Sequence, residues 1–167
     1  ILNGRNLDKL NELKVDLEAD FGIEVLLLPF DVRDRERAKV AIESLEGKWK
    51  SIDVLVNNAG LVIGFDKEFE GVLEEWDIVI DTNIKGLLNI TRLVTPGMVQ
   101  RGVGHIINIG SIAGDAAYPG GSVYCATKAA VKTLSDGLRQ DLVDTPLRVT
   151  NIKPGLVETN FSVVRYR

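Results

Sequence analysis

The order of apolar segments restricts this chain more than any other feature. Short, nearly continuous apolar runs at 23–28, 52–56, 105–109 and 147–152 are separated by stretches with helical spacing. Asn6 is placed to cap a helix carrying Leu7, Leu10, Leu13, Val15, Leu17 and Phe21. Asp34 can cap a second helix, in which Ala38, Ala41, Ile42 and Leu45 share a face. A long helical stretch is expected over 73–100 and another over 123–143. Strands that are apolar along their whole length, alternating with helices, predict an α/β fold: a Rossmann-like doubly wound parallel sheet with helices on both faces. With 167 residues, 45% of them hydrophobic, residues 1–167 are read as one domain with a substantial core.

Composition removes several functional classes. One cysteine and one histidine leave no internal disulfide and no basis for a protein-built metal site. The net charge is −4 and there is no basic stripe, which argues against nucleic acid as a partner. No run reaches the roughly 20 apolar residues of a membrane span, and there is no signal peptide. The triplets at Asn89 and Asn160 therefore read as chance matches to a glycosylation acceptor. A cytoplasmic protein is expected. The chain opens on Ile1-Leu2-Asn3-Gly4-Arg5 without an initiator Met and closes on Val163-Val164-Arg165-Tyr166-Arg167, and neither end reads as a domain edge.

In open α/β sheets, ligands bind beyond the carboxyl ends of the strands. That rule selects Gly4-Arg5, Asp31-Val32, Asn57 to Gly60, Gly110-Ser111 and Pro154 to Thr159. Tyr124 and Lys128 are four positions apart on a helix and share a face. An ammonium beside a phenol favours the phenolate and lowers a pKa that is ordinarily about 10, so such a tyrosine can exchange a proton near neutral pH. Alone, the Tyr-x-x-x-Lys spacing equally describes a solvated helix face. Ser111, just beyond the strand at 105–109, can bond a substrate oxygen on which charge develops; alone, it equally describes a loop cap.

Asn57-Asn58-Ala59-Gly60, Asn83, Ser111, Tyr124, Lys128 and Pro154-Gly155 occur in the order and approximate spacing of the short-chain dehydrogenase/reductases, which this chain resembles from Ile1 to Arg167. The resemblance implies that Tyr124 is the general acid/base and that Lys128 lowers its pKa and bonds the nicotinamide ribose. It implies that Ser111 orients the substrate oxygen and that Asn83 holds a water in the proton relay. Asn58, Ala59 and Gly60 would line the cofactor, Asp31-Val32 would hold the adenine, and Pro154, Gly155, Val157 and Thr159 would embrace the nicotinamide amide. Where an acidic residue would select a free ribose hydroxyl, this chain has Arg5-Asn6, and arginine suits a 2′-phosphate. The expected cofactor is thus NADP(H).

A narrower resemblance, through 108–114, 118–121 and 154–165, is to the NADP-dependent 3-hydroxy acid dehydrogenases, which oxidise serine and allo-threonine. A carboxylate substrate needs a cation, for which Arg165 is the candidate beside Ser111 and Tyr124. Pairing of the two long helices, as in the family, implies a homotetramer. The alternatives are a reductase of another ketone or alcohol, a nucleotide-sugar epimerase, and a non-catalytic dinucleotide-binding or scaffolding protein.

One family element has no counterpart. The Gly-rich phosphate loop belongs after a first, central strand that this sequence does not contain, so the neighbours of that strand are expected to be unpaired. The intact protein is expected to extend about 30 residues before Ile1, the length of a strand–loop–helix unit, and further after Arg167. His105, Cys125, Trp49 and Trp76 are read as structural, and the charged stretch 33–39 as a solvated helix face.

Overall fold

The computed structural model describes residues 1–157, which form five strands and five α-helices. Strand β1 (Leu2–Gly4) pairs in parallel with β2 (Leu27–Pro29), Leu2 opposite Leu27 and Gly4 opposite Pro29. Strands β3 (Val54–Asn57), β4 (His105–Ile109) and β5 (Arg148–Ile152) make a second parallel sheet with β4 in the middle. Among the described residues nothing pairs β1 with β3. A cleft of about 1380 Å³ lies between them, lined by apolar side chains such as Leu10, Leu28, Phe30, Val56, Ile90 and Val94. The expected gap in the sheet is therefore present, and Val54 and Val56 stand half-exposed along it.

Helix α1 (Leu7–Phe21) starts on Asn6, whose side chain accepts a hydrogen bond from the Lys9 amide at 3.0 Å. Asp34 caps α2 (Arg35–Glu43) in the same way through the Arg37 amide. The run at 23–28 becomes a strand only from Leu27. Before that, side chains of α1 take the backbone bonds that a strand would use: Lys14 Nζ donates to the Val25 carbonyl at 2.7 Å, and Glu18 accepts from the Val25 amide at 3.0 Å. The helix expected over 73–100 is three pieces: α3 (Leu73–Ile80), a π-helical turn (Asp81–Gly86) and α4 (Leu87–Arg101). Helix α5 spans Ser122–Asp141.

The main core joins Val94 and Met98 of α4 to Ile106 of β4, Val149 of β5, and Leu142 and Leu147 between α5 and β5. A second core gathers Phe30, Val32 and Ala38. Between helices and sheet runs a buried polar chain. Asn57 donates to Thr91 of α4 at 2.9 Å and to Asn108 of β4 at 2.8 Å, and Asn108 donates to Ser135 of α5 at 2.9 Å. Each amide is satisfied by a neighbouring element, which fixes the register of two strands under two helices. No helix among the described residues is long and apolar enough to cross a membrane.

Candidate active site

Because all strands run parallel, their carboxyl ends lie at one edge, where the selected segments collect. Two backbone bonds hold the loops after β4 and β5 together: the Gly110 amide to the Ile152 carbonyl at 2.7 Å, and the Ile112 amide to the Pro154 carbonyl at 3.1 Å. Lys153 adds an ion pair to Asp115 across the same loops.

Tyr124 and Lys128 project from the first turns of α5. Lys128 is only 6% exposed, and its Nζ donates to the Ile109 carbonyl at 2.8 Å, 5.8 Å from the centre of the Tyr124 ring. Burial away from any carboxylate lowers its pKa to about 8. Ile109 immediately precedes Gly110-Ser111, so the carbonyl that anchors Lys128 belongs to the strand that presents the serine. Ser111 Oγ accepts from the Ala113 amide at 3.1 Å, and among the described residues its proton remains to donate.

Asn83 sits in the π-helical turn, 2% exposed. Its Oδ1 accepts from the Leu61 amide at 2.8 Å, and its Nδ2 donates to the Leu61 carbonyl at 2.9 Å and to Thr127 Oγ1 at 3.0 Å. Gly60 lies against this wall: a Cβ there would come within 3.3 Å of Asn83 Oδ1 and 3.4 Å of Lys128 Nζ. Gly114 packs on the backbone of α5, where a Cβ would stand 2.7 Å from the Lys128 carbonyl. Gly120, with φ of +71°, leads the chain into α5 against the Phe65 carbonyl.

At the other end of the edge, Asp31 is held by two arginines. Arg33 grips it in a fork of 2.7 and 3.0 Å, and Arg5 approaches to 3.9 Å with its side chain 64% exposed. The Arg33 guanidinium is the main cause that keeps the Asp31 carboxyl below its usual pKa range. Arg33 is thus a member of this cluster, and Arg35 donates to Asn89 at 3.3 Å, so the stretch 33–39 is not simply a solvated face. Val32 is buried, its side chain against Gly86 and its carbonyl accepting from Asn89. Asn6 is committed to capping α1.

The structure brings Asn83, Gly60 and Lys128 into one wall, with Tyr124 and Ser111 beside it, and Asn58 and Ala59 lead into Gly60 along the cleft. Arg5, Asp31 and Val32 line the same cleft, and Pro154 bonds the loop that carries Ser111. Val157 is 59% exposed. Thr159 and Arg165 lie outside the described residues. The sequence reading missed Arg33, Leu61 and Thr127; only Thr127, between Tyr124 and Lys128 in one helical turn, carried a positional hint. Cys125 is buried, as its reading as packing requires, and His105 bonds Thr150 Oγ1 at 2.9 Å.

A parallel α/β sheet with a serine, tyrosine, lysine and asparagine gathered at its carboxyl edge defines a class of oxidoreductase, and the chain belongs to the short chain dehydrogenase family, whose model matches residues 1–166. Its relatives are specific. The chain is 49% identical to the NADP-dependent 3-hydroxy acid dehydrogenase of Escherichia coli K12, over all of this chain and 66% of that protein. It is 42% identical to the NADP-dependent 3-hydroxy acid dehydrogenase of Schizosaccharomyces pombe, over 99% of this chain and 64% of that one. The closed form of a serine dehydrogenase complexed with NADP⁺ superposes with a TM-score of 0.92 at 48% identity, covering 98% of this chain and 65% of the other. The chain thus spans a little under two thirds of the lengths of some of these relatives.

Proposed function

We propose that the intact protein is an NADP(H)-dependent dehydrogenase of 3-hydroxy acids, with serine and allo-threonine as the substrate class. The observation that carries this reading is the burial of the Lys128 ammonium beside Tyr124, tied to the strand that presents Ser111. The names of the relatives, NADP-dependent 3-hydroxy acid dehydrogenases and a serine dehydrogenase, support the cofactor and the substrate class.

The residues fit the cofactor. Arg5 and Arg33 against Asp31 leave a local charge of one positive, and Arg5 is exposed enough to meet a 2′-phosphate. Asp31, fixed by Arg33, and Val32 would stand at the adenine end, and the absence of a Cβ at Gly60 leaves the wall open to close approach. When bound, the nicotinamide supplies the hydride acceptor. The chain supplies position and proton transfer. Ser111 would donate its hydroxyl proton to the substrate oxygen, and Tyr124, as phenolate, would take the proton from the substrate's hydroxyl oxygen. Lys128, mostly protonated at neutral pH, stabilises that phenolate and keeps two donors for ribose hydroxyls. Asn83 holds the wall and the water of the relay. Pro154, Gly155, Val157 and Thr159 would hold the nicotinamide amide, and Arg165 is the residue assigned to the substrate carboxylate. Residues 1–167 act as one domain. The protein works in the cytoplasm as a homotetramer, which exposed Leu88 and Val99 on α4 support.

The test is reduction of NADP⁺ and NAD⁺ by the intact protein with serine, allo-threonine and 3-hydroxypropionate. Turnover that favours NADP⁺ and disappears in Tyr124→Phe is expected. Preference for NAD⁺, or full activity in the variant, overturns the assignment.

A further inference from the structure

Thr127 lies between the two reactive side chains of α5 and is 1% exposed. A threonine hydroxyl has one proton to give and two lone pairs. Its proton goes to the Tyr124 carbonyl at 2.7 Å, one turn back along its own helix. One lone pair accepts from Asn83 Nδ2 at 3.0 Å. The second Nδ2 hydrogen of Asn83 goes to the Leu61 carbonyl, and Asn83 Oδ1 accepts from the Leu61 amide. Both donors of the Asn83 side chain are therefore used, and its orientation is settled by its partners. Turning the amide over would set its NH₂ against the Leu61 N–H and its oxygen against the Leu61 carbonyl.

The three groups come from three separate parts of the chain: the loop after β3, the π-helical turn, and the first turns of α5. A single hydroxyl closes the connection between them, and it does so at the residue that shares a helical turn with Tyr124. Lys128 and Ser111 do not duplicate it, because Lys128 is anchored to Ile109 and Ser111 to Ala113. A methyl group in place of the hydroxyl would leave one Asn83 hydrogen without its partner, while the Tyr124 carbonyl keeps its place in the helix ladder.

We infer that Thr127 is a positioning residue that fixes the distance between Asn83 and Tyr124 by holding the Asn83 amide against the backbone of the catalytic helix. The inference rests on the dehydrogenase reading for its kinetic consequence and on the hydrogen-bond geometry for the contact itself.

The experiment compares wild type, Thr127→Val and Thr127→Ser in the intact protein. It measures steady-state kinetics, NADPH affinity by fluorescence, and exchange of the Asn83 side-chain amide hydrogens by ¹⁵N NMR, assigned by their loss in Asn83→Ala. In Thr127→Val, kcat is expected to fall about tenfold and Asn83 amide exchange to rise about tenfold, while KM and NADPH affinity stay within about twofold. Thr127→Ser, which keeps the hydroxyl, is expected to restore both. Unchanged amide exchange in Thr127→Val overturns the inference, as does a loss in Thr127→Ser as deep as in the valine variant. A wild type whose Asn83 amide hydrogens exchange freely overturns it even if the valine variant does not fold. A wild type that turns over no hydroxy acid overturns the dehydrogenase reading instead, and the amide exchange then decides the contact.

Discussion

Lys128 is held where an amine is least comfortable, and this has a measurable cost. The folded state releases its proton at about pH 8, against 10.5 for an ordinary lysine, so between those values the unfolded chain binds more protons and stability rises with pH. Below pH 8 the full penalty is present, about 3 kcal/mol from the shift, reduced to about 2 kcal/mol once the orphaned Ile109 carbonyl is counted. Lys128→Met is therefore expected to be inactive and about 2 kcal/mol more stable at pH 7 by denaturant unfolding, with the advantage fading from pH 8 to 10.5. Gly60→Ala puts a methyl against both Asn83 and Lys128. It is expected to raise the KM for NADP⁺ about tenfold with little change in melting temperature. The placement of Tyr124, Lys128 and Ser111 at one edge was legible from helical spacing and strand ends, whereas the roles expected of them came only with the family resemblance. Thr127 was not legible, because it acts through Asn83 on another element, and Arg33, two residues from Asp31, was hidden in a charged stretch that reads as a solvated face.

At the level of elements, alternation of strand and helix was readable throughout, while the boundaries yielded to side chains from elsewhere. Residues 23–26 have strand composition, but Lys14 and Glu18 of α1 occupy the backbone of Val25. The break between α3 and α4 had no signal in apolar periodicity, since a π-turn inserts one residue without interrupting the apolar face. That insertion sets the phase of Asn83 relative to α4. Deleting Ile84 is expected to merge the two helices and rotate Asn83 by about 100° relative to α4. Helix content by circular dichroism should be kept and turnover lost; retained turnover would show that the π-turn is incidental. A milder check concerns the cap of α2: Asp34→Ala is expected to cost about 1 kcal/mol in unfolding free energy without changing kcat.

On the scale of the whole molecule, β4 is, among the described residues, the strand with neighbours on both sides. Amide exchange should be slow in β4, which lies over the main core, and Asn108→Leu should destabilise the fold by about 2 kcal/mol by taking away one acceptor of Asn57 and the donor to Ser135, while Asn57 keeps Thr91 and Ser135 keeps Val131. How the site is distributed over the two groups of strands was not legible in the sequence. Arg5 and Asp31 stand on the β1–β2 side, and Ser111, Tyr124 and Lys128 on the β3–β5 side. A dinucleotide lying along the edge would touch both groups of strands, so its two ends would be read by different parts of the fold.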